Sequence, residues 1–114
     1  MPDTDRIRQL NDELRTTFKG GKIAITSGVM ALRDLATVLK QLREFSTFDQ
    51  DNDPHHEHDF GAFKYDGAQH VPGEGPLIYF KLDYYDSALQ FGSPDPAKPE
   101  LTTRVLTVML AEEY

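Results

Sequence analysis

The stretch 77-LIYFKLDYY-85 decides the fold. Its residues alternate. Ile78, Phe80, Leu82 and Tyr84 share one face of an extended chain; Leu77, Tyr79, Lys81, Asp83 and Tyr85 share the other. The spacing predicts a strand over Leu77–Tyr85, which sets an all-helical fold aside.

The flanking segments build outward from this strand. Before it, 66-DGAQHVPGEGP-76 reads as a loop punctuated by Pro72, Gly73, Gly75 and Pro76. Residues Asp59 to Tyr65 read as a second strand, with Gly61 marking a bulge because Phe60, Ala62, Phe63 and Tyr65 do not alternate cleanly. After it, 86-DSAL-89 turns and 89-LQF-91 returns as a short further strand. "GSPDPAKP" reads as a rigid entrance to a last helix, about Pro99 to Glu112, with Leu101, Val105, Val108 and Met109 on one side and Leu106 and Leu110 widening the stripe.

The N-terminal half is helical in pattern. Ile7, Leu10, Leu14 and Phe18 recur at helical spacing. Asp3 or Thr4 is the expected cap, and Gly20 or Gly21 the stop. "KIAIT" reads as a strand, Lys22 to Thr26, followed by a turn at "TSG". A helix from about Met30 to Phe45 follows, with Leu32, Leu35, Leu39 and Leu42 as its stripe. The expected fold is therefore α+β, one domain over 1–114. A small antiparallel sheet of three to four strands packs against about three helices, in the order α-β-α-β-β-(β)-α. The middle strands lack intervening helices, which sets aside a Rossmann-like arrangement.

Composition narrows the function classes. The formal charge of −7 argues against direct contact with nucleic acid, because phosphate neutralisation needs clustered Lys and Arg. It suits solubility or a basic protein partner. No cysteine is present, so disulfides, thiolate metal sites and a Cys nucleophile are excluded. No apolar run approaches the roughly 20 residues of a membrane span, and "MPDTDRIRQL" lacks a signal-peptide core, so a cytoplasmic protein is expected.

One segment is rich in chemistry. Between Asp49 and Asp59 stand five acids and three histidines, with no Lys or Arg to neutralise them. Asp49, Asp51 and Asp53 alternate as in a calcium loop. That motif then requires Gly at its sixth position and Glu at its twelfth, and Pro54 and Phe60 stand there instead. His56, His58 and Asp59 are the candidate transition-metal ligands, His56 and His58 sharing a side if the segment is extended. As an acid–base set, the candidates are His55, Glu57, His58, Asp59 and Asp83. No serine elbow, P-loop or zinc-protease helix accompanies them. The competing reading is structural: Asx side chains cap turns, and "DNDP" has the look of a capped turn after a helix. Tyr65, Tyr79, Tyr84 and Tyr85, with Asp86, form the candidate protein-binding face, since tyrosine anchors interfaces well.

The segments "LNDELR", "TSGV", "FDQDNDPHHEHDFGAF", "KLDYYD", "FGSPDPAKP" and "TRVLTVMLAEEY" occur in that order along nearly the whole chain. Together they resemble a family of small bacterial proteins known as domain of unknown function 3768. The resemblance implies no particular reaction and no cofactor. It implies a frequent home on plasmids and mobile elements, and hence an anti-defence or regulatory role. It points to Asp53, Pro54, His55, Glu57, His58, Asp59, Asp83, Tyr84, Tyr85 and Asp86. The loop "AQHVPGEGPLIYF" looks longer than the family pattern. The expectation is a non-enzymatic factor binding a host or defence protein with a basic surface, such as a restriction or CRISPR component. A metal-dependent hydrolase or nuclease and a self-dimerising domain are the alternatives.

Overall fold

A computed structural model describes residues 2–114. Helix α1 spans Pro2–Thr17, β1 Lys22–Ile25, α2 Ser27–Met30, α3 Leu35–Glu44, β2 Phe60–Lys64, β3 Leu77–Tyr85 and β4 Thr103–Leu110. The sheet runs in the order β1-β4-β3-β2. Strands β2, β3 and β4 pair antiparallel, while β1 joins β4 in parallel. The fold is α+β, with a mixed rather than purely antiparallel sheet.

The largest departure from the sequence reading is at the C-terminus. The expected helix over Pro99–Glu112 is strand β4 between two single 3-10 turns, Pro99–Leu101 and Ala111–Glu113. The stripe of Leu101, Val105, Val108 and Met109 fits a helix. Arg104, Leu106, Val108 and Leu110 fit a strand equally, but Arg104 hides that alternation. Long-range pairing decides the matter: β4 is held on both edges, by β3 and by β1. Its Thr and Val residues are also better placed in a strand.

Smaller corrections have local causes. Helix α1 begins at Pro2, so Asp3 and Asp5 occupy its first turn, where they suit the dipole. The second helix is divided. Thr26 caps α2 by accepting from the Val29 N–H, and Asp34 caps α3 by accepting from the Thr37 N–H, with Arg33 at φ 56° turning the chain between them. Residues 89–91 form no strand; one bridge, Tyr85 to Gly92, closes that turn. Gly61 is not a bulge, since β2 pairs with β3 without interruption. A Cβ there would meet the Phe80 ring at 2.3 Å and the Phe45 ring at 2.7 Å, so glycine is what lets the rings close over β2.

The core lies on one side of the sheet. Ile78, Phe80 and Leu82 of β3 and Leu106 and Val108 of β4 are buried against Leu14 of α1, Val29 of α2, and Val38 and Leu42 of α3. Each such side chain contributes about 1.5–3 kcal/mol. The opposite face carries Tyr79, Lys81 and Asp83 beside Thr107, Val105 and the buried Met109, with the Ala111–Glu113 turn and Tyr114 laid against it. No helix among the described residues is long and apolar enough to cross a membrane.

Candidate functional site

The acidic segment lies where α3 hands the chain to β2. Its first job is local. Asp49 accepts from the Asp51 and Asn52 N–H groups, and Asn52 ties back to the Thr47 carbonyl at 2.8 Å. Asp53 is buried and accepts from the N–H groups of Glu57 (2.9 Å) and His58 (3.0 Å). His56 and His58 both take left-handed backbone, φ 59° and 54°. The segment is therefore coiled rather than extended, and the two imidazoles do not share a side as an extended chain would place them. Among the described residues, no three His, Asp or Glu side chains converge as a metal would require.

Its second job is to tie the helices to the sheet. The His58 ring stacks on Phe48 at 3.8 Å, and its Nδ1 meets Asp12 of α1 at 2.9 Å. Asp12 also pairs with Arg15 at 3.2 Å. The buried Arg15 guanidinium donates to the Leu42 and Phe45 carbonyls at 3.0 and 2.8 Å, filling the C-terminal end of α3 where a cation is favoured. A second seam runs beneath. Asn11 donates to the Glu57 carbonyl and the Tyr84 oxygen, and the Tyr84 hydroxyl donates to Glu57 Oε1 at 2.8 Å. Arg104, buried in β4, donates to Asn11 Oδ1 at 2.6 Å and to the Pro96 carbonyl, and lies over the Tyr84 ring. Burial pushes the Tyr84 hydroxyl well above its ordinary range, with Glu57 adding to the effect, and draws Arg104 below its own. Every member of this seam has a partner, as buried polar groups require.

The open face of the sheet is different. Tyr79, Phe60 and Tyr114 meet edge to face or tilted, with centroids 5.2 to 6.4 Å apart. Lys81 sits beside them, paired with Asp83 at 2.9 Å; that bond raises the lysine's proton affinity. Two hollows flank Lys81 and Tyr114. One, of about 320 Å³, reaches Thr26, Thr107, Met109 and Glu113. The other, of about 420 Å³, reaches Phe60, Asp59, Asp83, His55, Pro54 and Asp51. Glu113 fixes the C-terminal end: it accepts from the Thr26 hydroxyl at 2.6 Å and from the Leu110 and Gly28 N–H groups, which hold its carboxyl below the usual range. At the other end, burial and the Glu57 charge hold Asp59 above the usual carboxylate range.

The sequence-predicted residues separate into these two regions. Of the acid–base candidates, Glu57 and His58 turn inward to Tyr84 and Asp12, while His55, Asp59 and Asp83 line the larger hollow. Of the tyrosine candidates, Tyr65 is buried with its hydroxyl on Asp34, a bond that pushes it up to about 12, and Tyr84 belongs to the seam. Tyr79 and Tyr85 stand on the open face. Asp86 accepts from the Gln90 N–H and closes its own turn. Phe60, Lys81, Met109 and Tyr114 also line these hollows but are not among the sequence-predicted site residues. The period of β3 places Lys81 beside Tyr79, but no local signal brings the last residue of the chain onto the sheet.

A family model described as a protein of unknown function (DUF3768) matches residues 25–113. The chain belongs to that family. No curated protein and no solved structure matches it.

Proposed function

We propose that this family member is a non-enzymatic protein-binding module that engages a basic partner through the open face of its sheet. The supporting observation is the Tyr79–Phe60–Tyr114 cluster, with Tyr114 largely exposed and Asp51, Asp59 and Asp83 lining the hollow beside it. Rigid aromatic side chains bury much area at low entropic cost, and acids around them steer a cationic partner. Glu57 and His58, the groups an acid–base mechanism would use first, are committed to Tyr84 and Asp12.

The finer reading is inhibition of a host defence protein, the setting that the family resemblance implies. The test compares the wild-type chain with the Tyr79→Ser/Tyr114→Ser pair. The native chain is expected to retain a basic protein from cell extract at low ionic strength and release it in salt, and the pair to retain none. Equal retention by both overturns the reading. Light scattering on the same two proteins should report a single chain for each. A wild-type dimer that the pair abolishes would replace the partner with a second copy. Raised phage plating in cells carrying a restriction or CRISPR system, lost with the pair, is the expected sign of the anti-defence role.

A further inference from the structure

Lys81 and Tyr114 line both hollows, so the two adjoin across these residues as one interrupted groove on the open face. Its ends differ. The Thr26 end is closed: Glu113 is saturated by a hydroxyl and two N–H groups. The Asp59 end is charged and unsatisfied. There Lys81 and Asp83 pair at 2.9 Å, and among the described residues no Lys or Arg pairs with Asp51 or Asp59; Glu57 and Asp53 repel the Asp59 charge, and His55 offsets them in part. Asp59 is half-buried at the start of β2, and among the described residues no other residue donates to its carboxylate. Tyr114, 77% exposed, also lines this end, its ring packed edge-on against Phe60 and Tyr79.

We propose that this end of the groove docks an arginine side chain of the partner protein, the guanidinium lying on the Tyr114 ring and donating to Asp59. The inference rests on the protein-binding reading and names what that partner must present. Arginine fits better than lysine for two reasons. Its planar fork matches a carboxylate, and its weakly hydrated face stacks on an aromatic ring. The hollow of about 420 Å³ exceeds what one guanidinium fills, so the flanking backbone of an extended segment enters with it. Burial and Glu57 hold the Asp59 carboxyl up in the free protein; the opposite charge of a docked guanidinium outweighs both and brings it down.

The experiment titrates the full chain, isotopically labelled, with an arginine-rich octapeptide, its lysine counterpart and spermidine, and follows the amide and Asp59 carboxyl resonances. The expected result is perturbation centred on Asp59, Lys81 and Tyr114, with the arginine peptide binding about tenfold more tightly than the lysine peptide. The Asp59 titration should move to lower pH on binding, and Asp59→Asn should weaken the arginine peptide about tenfold. Equal binding of all three cations, or shifts spread over the acidic surface, overturns the proposal. The two readings fail separately. A cellular partner lost with Tyr79→Ser/Tyr114→Ser but kept by Asp59→Asn removes the arginine dock and leaves the protein-binding face. Arginine binding in the groove without such a partner supports the dock and removes the broader reading.

Discussion

Phe80 and Lys81 are neighbours on β3, and they face opposite worlds. Phe80 is fully buried beneath the Phe45 and Phe48 rings, and next to it the Arg15–Asp12–His58 chain and the Asn11–Glu57–Tyr84–Arg104 seam join helices to sheet. On the side of Lys81 the Phe60, Tyr79 and Tyr114 rings pack on one another beside the Lys81–Asp83 pair, and the Asp59 carboxyl is held above its usual range. The acidic segment straddles the two. Asp53, Glu57 and His58 serve the covered side; His55 and Asp59 border the open one. A motif that reads as one cluster in sequence is thus divided between holding the fold and furnishing a surface.

Substitutions on the covered side should be costly, and those on the open side nearly free in stability. The largest loss is expected for Arg104→Ala, about 2–5 kcal/mol by urea denaturation, since it leaves the buried Asn11 and the half-buried Pro96 carbonyl without their donor. A loss under about 1 kcal/mol would show that water enters the seam. Tyr84→Phe should cost about 1–3 kcal/mol by leaving Glu57 and Asn11 short of a partner. Gly61→Ala should fall in a similar range, about 1–3 kcal/mol, because the Phe80 and Phe45 rings must move aside. Thermal melts of Tyr114→Ser should differ from wild type by no more than about 0.5 kcal/mol, while partner capture weakens.

Acid sharpens the contrast in sign. The Tyr65 hydrogen bond holds Asp34 below its ordinary value of 3.8. Its stabilisation is complete above that value and fades as pH falls through the lowered one. Asp59 is held above 3.8, so its ionised form opposes folding at neutral pH and the penalty lifts as pH falls through the raised value. Asp59→Asn is therefore expected to raise the melting temperature at pH 7 and to converge with wild type in acid. Tyr65→Phe should lower it at pH 7 and lose that difference in acid. A melting temperature for Asp59→Asn at or below wild type would mean that the carboxylate has a partner in solution. A surface group that weakens the fold it belongs to is what a binding site needs.

Much of this is legible in the sequence alone. Alternation in 77-LIYFKLDYY-85 assigned both of its faces correctly, because a strand's period of two needs no partner to be read. The Ile7 and Leu14 stripe announced α1, and Pro54 with the Asx residues announced a capped turn rather than a calcium loop. Other features were decided only by tertiary contact. Whether Thr103–Leu110 is helix or strand depends on pairing to β1 and β3 across the chain, and both periods fit its apolar residues. Four tyrosines looked alike in sequence. Burial against Asp34 and Glu57 withdrew Tyr65 and Tyr84, and the turn fixed by Glu113 brought Tyr114 in to join Tyr79. Local sequence carries the period of an element; which face of it meets water is set by what the rest of the chain lays against it.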